Sequence, residues 1–147
     1  MTGVQTCALP ISARGLRGRA AGLTISLDLN LRRRLWSDEA AAPVLRDLAA
    51  GVDVILGSPD ELAVLTRLTP DHDPAELAWA ALDLGPSIAV VKLGAAGSLA
   101  IASDAPDEAV VRPALPLPVV VDPVGAGDAF CAGFIAARLD GDRKSVV

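Results

Sequence analysis

The stretch VVVDPVGAGDAF, residues 119–130, decides the fold. It predicts a buried strand over residues 119–121, then a glycine loop, then a helix over residues 127–139. In an open α/β sheet, such a loop lies at the ligand crevice above the strand ends. Gly125 and Gly127 allow close backbone approach, and the free N–H groups at the start of a helix favour an anion. The stretch therefore predicts an anion-binding loop.

Asp128 follows this loop in the first turn of the predicted helix, where the helix dipole stabilises a carboxylate. A carboxylate beside bound phosphate can take the proton of an attacking hydroxyl, as phosphoryl transfer requires. The alternative is that Asp128 only begins a helix after a tight turn. Two other phosphate motifs fail on spacing, because Asp128 replaces the lysine of a Walker A loop and Phe130 replaces the third glycine of a dinucleotide fingerprint.

The composition excludes several classes of protein. Of the 147 residues, 52% are apolar and 21% are charged, which is typical of a packed core and not of a disordered chain. A net charge of −5 and only 3% aromatic residues argue against nucleic-acid binding. Two cysteines and one histidine cannot build a disulfide framework or a Cys/His zinc cluster. No apolar run approaches the roughly 20 residues of a membrane span, so we expect a soluble, cytoplasmic protein.

Strands and helices alternate along the chain, which is typical of a mainly parallel sheet covered on both faces. Hydrophobic patterning predicts strands over residues 23–29, 52–56 and 88–92, and a hairpin from residues 99–102 and 109–112. Helices are predicted over residues 12–21, 38–49 and 74–84. A further helix begins at SPDE, residues 58–61, where Ser58 and Glu61 form a capping box.

Both ends of the chain resemble translated sequencing adapter. Residues 8–11 (ALPI) and 142–145 (DRKS) can be encoded by codons that are reverse complements of each other, and both match the common short-read library adapter. The alternative is two ordinary tails, because codons are degenerate. We expect residues 1–11 and 142–147 not to be native. Residues 12–141 are then an internal piece of a longer gene.

Residues 122–130 (DPVGAGDAF), followed by Gly133 and Phe134, resemble the C-terminal signature of the PfkB/ribokinase carbohydrate kinases. The resemblance covers essentially all of residues 12–141. It implies a ribokinase-like three-layer α/β/α fold, incomplete here because the family's N-terminal half and lid are missing. It also implies ATP and Mg²⁺ as cofactors and, in some members, a monovalent cation.

The same resemblance implies roles for particular residues. Asp128 matches the catalytic base, which also binds the substrate hydroxyl, and the backbone of Gly125, Ala126 and Gly127 matches the anion hole. Asp122 matches an acid near the phosphates and the cation. The nucleotide-binding residues that the resemblance implies are Lys92, Gly94, Gly97, Gly125 and Gly127.

Glu61 matches the acid of the family's N-x-x-E motif, which organises Mg²⁺ and phosphate through water. Ser58 stands where that motif has Asn, which puts the role of the Asn in doubt. The alternative is that Ser58 and Glu61 form only the capping box. Glu61 and Asp122 are thus the two residues that the resemblance places near metal.

The stretch DLNLR, residues 28–32, followed by Leu35 and Trp36, is similar to a motif of 2-keto-3-deoxygluconate kinases. This implies that Asn30 and Arg32 bind a sugar acid, and a guanidinium does pair bidentately with a carboxylate. An ordinary polar loop is the alternative for Arg32. Fructose and ribose remain open as substrates.

The resulting prediction is that the parent protein phosphorylates a sugar or sugar-acid hydroxyl with ATP, while the fragment alone is inactive. A noncatalytic nucleotide- or anion-binding module and a kinase of heterocycle alcohols are the alternatives. The expected partners are a small sugar and ATP, with no nucleic acid and no membrane. A homo-oligomeric parent protein remains open.

Overall fold

The computed structural model describes residue 18 and residues 20–116, 118–119 and 122–141. These residues form one five-stranded sheet in which strands adjacent in the chain are hydrogen-bonded. β1, β2 and β3 are parallel, whereas β4 is antiparallel to β3 and β5 is antiparallel to β4. Four of the five described strands therefore point the same way, which confirms the mainly parallel sheet. The strands are β1 (Ser26–Asp28), β2 (Val54–Gly57), β3 (Ile88–Lys92), β4 (Ser98–Ala102) and β5 (Ala105–Arg112).

Helices cover both faces of this sheet, as the predicted three layers require. On one face, α1, α2 and α3 pack around Ile55, Val91 and Ile101 in the larger apolar core. On the other face, Leu56 and Val90 pack against Phe134 of α4, which is 3% exposed. Alternate strand residues point to opposite faces, so both cores come from the same strands. The helices are α1 (Asp38–Ala49), α2 (Pro59–Thr66), α3 (Pro74–Leu82) and α4 (Ala126–Leu139).

The first two predicted strands are placed wrongly at their N-terminal ends. The prediction began at residues 23 and 52, but β1 begins at Ser26 and β2 at Val54. The cause is Asp53, whose side chain accepts a hydrogen bond from the Ile25 N–H at 2.8 Å. Its backbone N–H donates to the Ile25 carbonyl at 2.8 Å. These contacts bind the residue before β1 to the residue before β2, although the two are distant in sequence.

The remaining predictions differ from the structure mainly in length. The hairpin is confirmed, but its second strand already begins at Ala105, and a bulge lies between Ala100 and Ala102. The helix predicted over residues 74–84 ends at Leu82, and α4 begins one residue before its prediction. The strand predicted over residues 119–121 is wrong at Val119, which lies in no strand. The rest of that strand and most of the helix predicted over residues 12–21 lie outside the described residues.

None of the helices in the described part of the chain is both long and apolar enough to cross a bilayer.

Candidate active site

The carboxyl ends of β1 and β3 present charged side chains on the face that α4 covers. Asp28 pairs in register with Leu56, and Leu56 pairs with Val90. Lys92 lies two residues after Val90 and therefore points to the same face. Leu56 and Val90 both pack in the core under α4. The fold thus directs Asp28 and Lys92 together towards the first turns of α4.

Asp28, Lys92 and Cys131 form a network at this place. The Lys92 Nζ lies 2.5 Å from the Asp28 Oδ1, and the two side chains are 17% and 21% exposed. The Cys131 thiol donates to the Asp28 Oδ2 at a sulfur–oxygen distance of 3.4 Å. The network therefore joins the ends of two strands to α4, one turn after Asp128.

The Cys131 thiol stays protonated in this position. Burial raises its pKa to about 11, and the negative charge of Asp28 together with the hydrogen bond to it acts in the same direction. Since thiolates and not thiols are the nucleophiles, Cys131 is an inert donor at neutral pH.

We expect iodoacetamide to alkylate folded Cys131 slowly at pH 8, with a rate that rises as the pH approaches 11. In a Cys7→Ser variant, the alkylation measured comes from Cys131 alone. The same variant unfolded in urea gives the alkylation rate of an unprotected Cys131. The raised pKa of Cys131 also determines how the stability of the fold changes with pH. The contribution of the thiol is fully present below its unfolded pKa of about 8.5 and is lost as the pH rises towards 11. Equal alkylation rates for folded and unfolded chains at pH 8 would contradict the raised pKa of Cys131.

The N-terminus of α4 is open. Its N-cap is Gly125, which has a φ of +81° and no side chain to accept hydrogen bonds from the first turn. A Cβ built on Gly125 would meet no atom within 4 Å. The preceding turn is held by Asp122, whose Oδ1 accepts from the Val124 N–H at 2.8 Å. The Ala126 N–H donates to the Pro123 carbonyl at 3.1 Å. The N–H groups that follow in the first turn have no side-chain cap, which suits an anion.

A cleft of 370 Å³ lies between this helix end and the strand ends. It brings together six of the predicted site residues from three separate segments of the chain. Its lining consists of Asp28, Asn30, Arg32, Lys92, Pro123, Val124, Gly125, Gly127 and Asp128.

Asp28, Pro123 and Val124 line the cleft although no site role was predicted for them. The sequence could have indicated that Asp28 belongs to the site, because it lies two residues before Asn30 and four before Arg32. Residues with a spacing of two share a side of an extended segment. All three indeed face the cleft, although Asn30 itself has a φ of +39°.

Five predicted site residues do not line the cleft: Gly94, Gly97, Ala126, Glu61 and Asp122. Gly97 has a local packing reason to be glycine. It has a φ of +102°, and a Cβ there would lie 2.0 Å from the Arg112 carbonyl oxygen. The close approach of β5 thus accounts for Gly97. Gly94 has a φ of +59° and begins the 3₁₀ turn Gly94–Ala96 between β3 and β4.

Both carboxylate oxygens of Glu61 accept hydrogen bonds from backbone N–H groups. Its Oε2 accepts from the Ser58 N–H at 2.9 Å, which with the Ser58 hydroxyl completes the predicted capping box. Its Oε1 accepts from the Leu31 N–H at 2.8 Å. Glu61 therefore ties the segment that carries Asn30 and Arg32 to the start of α2.

Ser58→Ala should lower the free energy of unfolding by about 1 kcal/mol, because it removes a side-chain cap of α2. Ser58→Asn should keep most of the stability, since Asn is an equally good N-cap. Urea unfolding of the three chains measures both effects. An alanine variant as stable as the parent chain would contradict the capping role of Ser58.

The arginines after β1 have different surroundings. Arg33 pairs with Asp38 at the surface, with 3.0 Å between Nε and Oδ1, and the hydrogen bond to Asp38 raises its pKa. Arg32 lines the cleft and makes no side-chain hydrogen bond or ion pair with any other residue that the structure describes. Arg32 is thus the arginine available to an anionic ligand.

Together the fold and the cleft define an α/β protein in which an uncapped helix N-terminus faces a cleft. The chain belongs to the pfkB family of carbohydrate kinases, because the model of that family matches residues 17–145.

Similar proteins support this assignment in sequence and in structure. The chain is 37% identical over 118 residues to a 2-dehydro-3-deoxygluconokinase of Thermoproteus tenax, covering 79% of this chain and 34% of that protein. It is 36% identical to the Bacillus subtilis (strain 168) protein of the same name, covering 84% and 36%. The chain thus spans about a third of the length of these curated relatives.

Solved structures give the same fold. A PfkB protein from Polaromonas sp. JS666 superposes with a TM-score of 0.74 and 35% identity, covering 90% of this chain and 42% of that one. The aminoimidazole riboside kinase from Salmonella enterica, complexed with aminoimidazole riboside and an ATP analogue, superposes with a TM-score of 0.71 and 29% identity. That match covers 85% of this chain and 40% of the other. The ribokinase-like α/β/α fold is thereby confirmed.

The carboxylates fit a metal only in part. Among the described residues, no three His, Cys, Asp or Glu side chains form a group able to hold a metal ion. Glu61 and Asp122 both bind backbone N–H groups. Mg²⁺ usually keeps several waters and binds one or two carboxylates plus substrate phosphates. Both carboxylates are thus bonded within the fold and neither lines the cleft, so a water-mediated role for them with Mg²⁺ stays a prediction.

Proposed function

We propose that the longer protein containing this chain transfers the γ-phosphoryl group of ATP to a hydroxyl of a sugar acid. The observation that carries this proposal is the cleft itself. It joins an uncapped helix N-terminus, the carboxylate of Asp128 and the guanidinium of Arg32, which pairs with no other residue in the described part of the chain. Phosphoryl transfer needs a base, donors for the transferred charge and a means to orient the acceptor.

Each residue of the cleft then has a chemical task. Asp128 takes the proton of the attacking hydroxyl, and its exposed position in the first turn of α4 leaves it accessible to that hydroxyl. Within the loop Gly125-Ala126-Gly127, the backbone N–H groups of Gly125 and Gly127 hold the charge on the transferred phosphoryl group, whereas the Ala126 N–H already donates to the Pro123 carbonyl at 3.1 Å. Lys92 lies on the nucleotide side of the cleft.

The acceptor is a sugar acid of the 2-keto-3-deoxygluconate type. Arg32 supplies the fork that a carboxylate prefers, and Asn30 beside it can hold a hydroxyl. The names of the two relatives above support the same substrate class. The fructokinase of Vibrio cholerae O395 in a fructose, ADP and potassium ion bound form is a relative of a different specificity and keeps neutral sugars as the alternative.

Bound with ATP, Mg²⁺ would neutralise phosphate charge. Glu61 and Asp122 are the residues that would hold it through water, and Asp122 would lie near a monovalent cation. The reaction takes place in the cytoplasm. Residues 12–141 are the native part of the chain in this proposal, and residues 1–11 and 142–147 are not.

The 147-residue chain alone has no appreciable kinase activity in this proposal. Its matched segment covers only about a third of each of the two relatives, and residues 122–129, which form the loop and the start of α4, are exposed. A closed, water-excluding site therefore requires further protein.

A phosphorylation screen tests the proposed function. The uninterrupted gene product is assayed with ATP and ketodeoxygluconate, fructose or ribose, and the 147-residue chain is assayed in parallel. We expect turnover of the acid by the longer protein and none by the chain. ATP or phosphate binding without turnover of any alcohol would instead favour the noncatalytic anion-binding module. Robust turnover by the chain alone would contradict its inactivity.

A further inference from the structure

The ammonium of Lys92 lies in an electrostatically unfavourable place. A Cβ built on Gly127 would be 3.9 Å from the Lys92 Nζ, so the ammonium lies close to the first turn of α4. The N-terminus of a helix carries a partial positive charge and repels cations. A neighbouring anion offsets this repulsion.

Asp28 is that anion in the structure. It contacts Lys92 at 2.5 Å, and both residues line the cleft. Its second carboxylate oxygen is bound by the Cys131 thiol. With one oxygen on each partner, Asp28 is fixed between β3 and α4 and is poorly placed to act as a second base.

Lys92 retains capacity to bind a further anion. An ammonium has three N–H donors, and Asp28 is its one hydrogen-bond acceptor among the described residues. The same ammonium borders the uncapped N–H groups of α4. A phosphate placed at the helix end would therefore also reach Lys92.

We propose that Asp28 is a resident counter-ion that positions Lys92 for phosphate. Asp28 holds the ammonium beside the N-terminus of α4, and an incoming phosphate shares Lys92 with Asp28. Asp28 is thus a positioning residue, acting through Lys92. The proposal deepens the proposed function and rests on it for the kinetic part of the test only.

The first test measures phosphate binding, which needs no turnover. Inorganic phosphate is titrated into the full chain, and the amide NMR shifts of Gly127 and Asp128 report binding at the helix end. Lys92→Met should weaken binding about tenfold or more, because a charge-assisted contact is lost. Lys92→Arg should retain most of the affinity. Asp104→Asn, in the exposed turn between β4 and β5, is the matched control.

A rescue distinguishes a counter-ion from a merely structural residue. In Lys92→Met, Asp28 becomes an unpaired carboxylate that repels phosphate. Adding Asp28→Asn should therefore improve phosphate binding over Lys92→Met alone. Asp28→Asn by itself should not weaken binding, because the phosphate then replaces Asp28 as the counter-ion of Lys92. Thermal unfolding shows whether the Asp28→Asn variants fold. If they do not, Asp28→Ser should give the same rescue. Phosphate affinity of Lys92→Met equal to the control, or further weakening in the double variant, overturns the proposal.

The second test uses kinetics in the longer protein. Asp28→Asn should lower kcat about tenfold, because an unpinned lysine is poorly oriented, while KM for ATP is not raised. A raised KM with an unchanged kcat contradicts positioning. If the longer protein turns over no alcohol at all, the proposed function fails, but the phosphate titration still decides the roles of Asp28 and Lys92.

Discussion

Asp128→Asn in the longer protein lowers kcat about a thousandfold, since a positioned general base contributes about 10² to 10⁴ in rate. The amide is nearly isosteric with the carboxylate but cannot take the proton of the attacking hydroxyl. The backbone anion site does not depend on this side chain, because Gly125 leaves the helix end uncapped. ATP binding should therefore survive the substitution.

Two measurements separate these effects. A coupled assay of ADP release gives kcat, and calorimetric titration with ATP gives the dissociation constant. Asp140→Asn, at the other end of α4, is a matched control that removes the same charge from the same helix. Undiminished turnover in Asp128→Asn removes this residue from the role of base. Loss of ATP binding and turnover together would indicate that the substitution disrupts the loop.

The loop and helix that carry Asp128 were predictable because their signals are local. Gly125 and Gly127 mark the turn, and the apolar pattern of the helix begins directly after them. The predicted start of α4 is one residue from the observed one. The capping box of Ser58 and Glu61 was predictable for the same reason, because both partners lie within one turn.

The network beneath the cleft depends on contacts that no local pattern contains. Asp28 meets Lys92 across 64 positions of sequence and Cys131 across 103. The N-terminal boundary of β1 likewise depends on Asp53, which is 28 positions from Ile25. Only a known sheet order brings these groups together. The sequence could therefore indicate that Asn30 and Arg32 face a ligand, but not what Asp28 binds.

Glu61 illustrates a residue whose local role was recognised but whose distant one was not. The capping box explained its Oε2, whereas the hydrogen bond from Leu31 to its Oε1 joins the loop after β1 to the first turn of α2. This second bond orients the segment that presents Arg32 to the cleft. The position of Arg32 thus depends on an acid outside the cleft lining.

Arg32→Ala in the longer protein should lower kcat/KM for ketodeoxygluconate about a hundredfold, which corresponds to about 2.7 kcal/mol. This magnitude is reasonable for hydrogen bonds to charged groups, each worth about 1.5–3 kcal/mol. The loss should be only a few-fold for fructose or ribose, because a neutral sugar has no carboxylate to pair. The difference between the two substrates, and not the loss itself, carries the assignment.

Two neighbouring variants make this comparison specific. Arg34→Ala removes an exposed guanidinium two residues away that does not line the cleft, and it should leave both substrates unaffected. Arg32→Lys keeps the charge but loses the planar fork, so it should recover only part of the activity on the acid. Equal losses on acidic and neutral sugars would mean that Arg32 supports the fold of the loop, and the sugar-acid assignment would then fail while Asp128 could still act as the base.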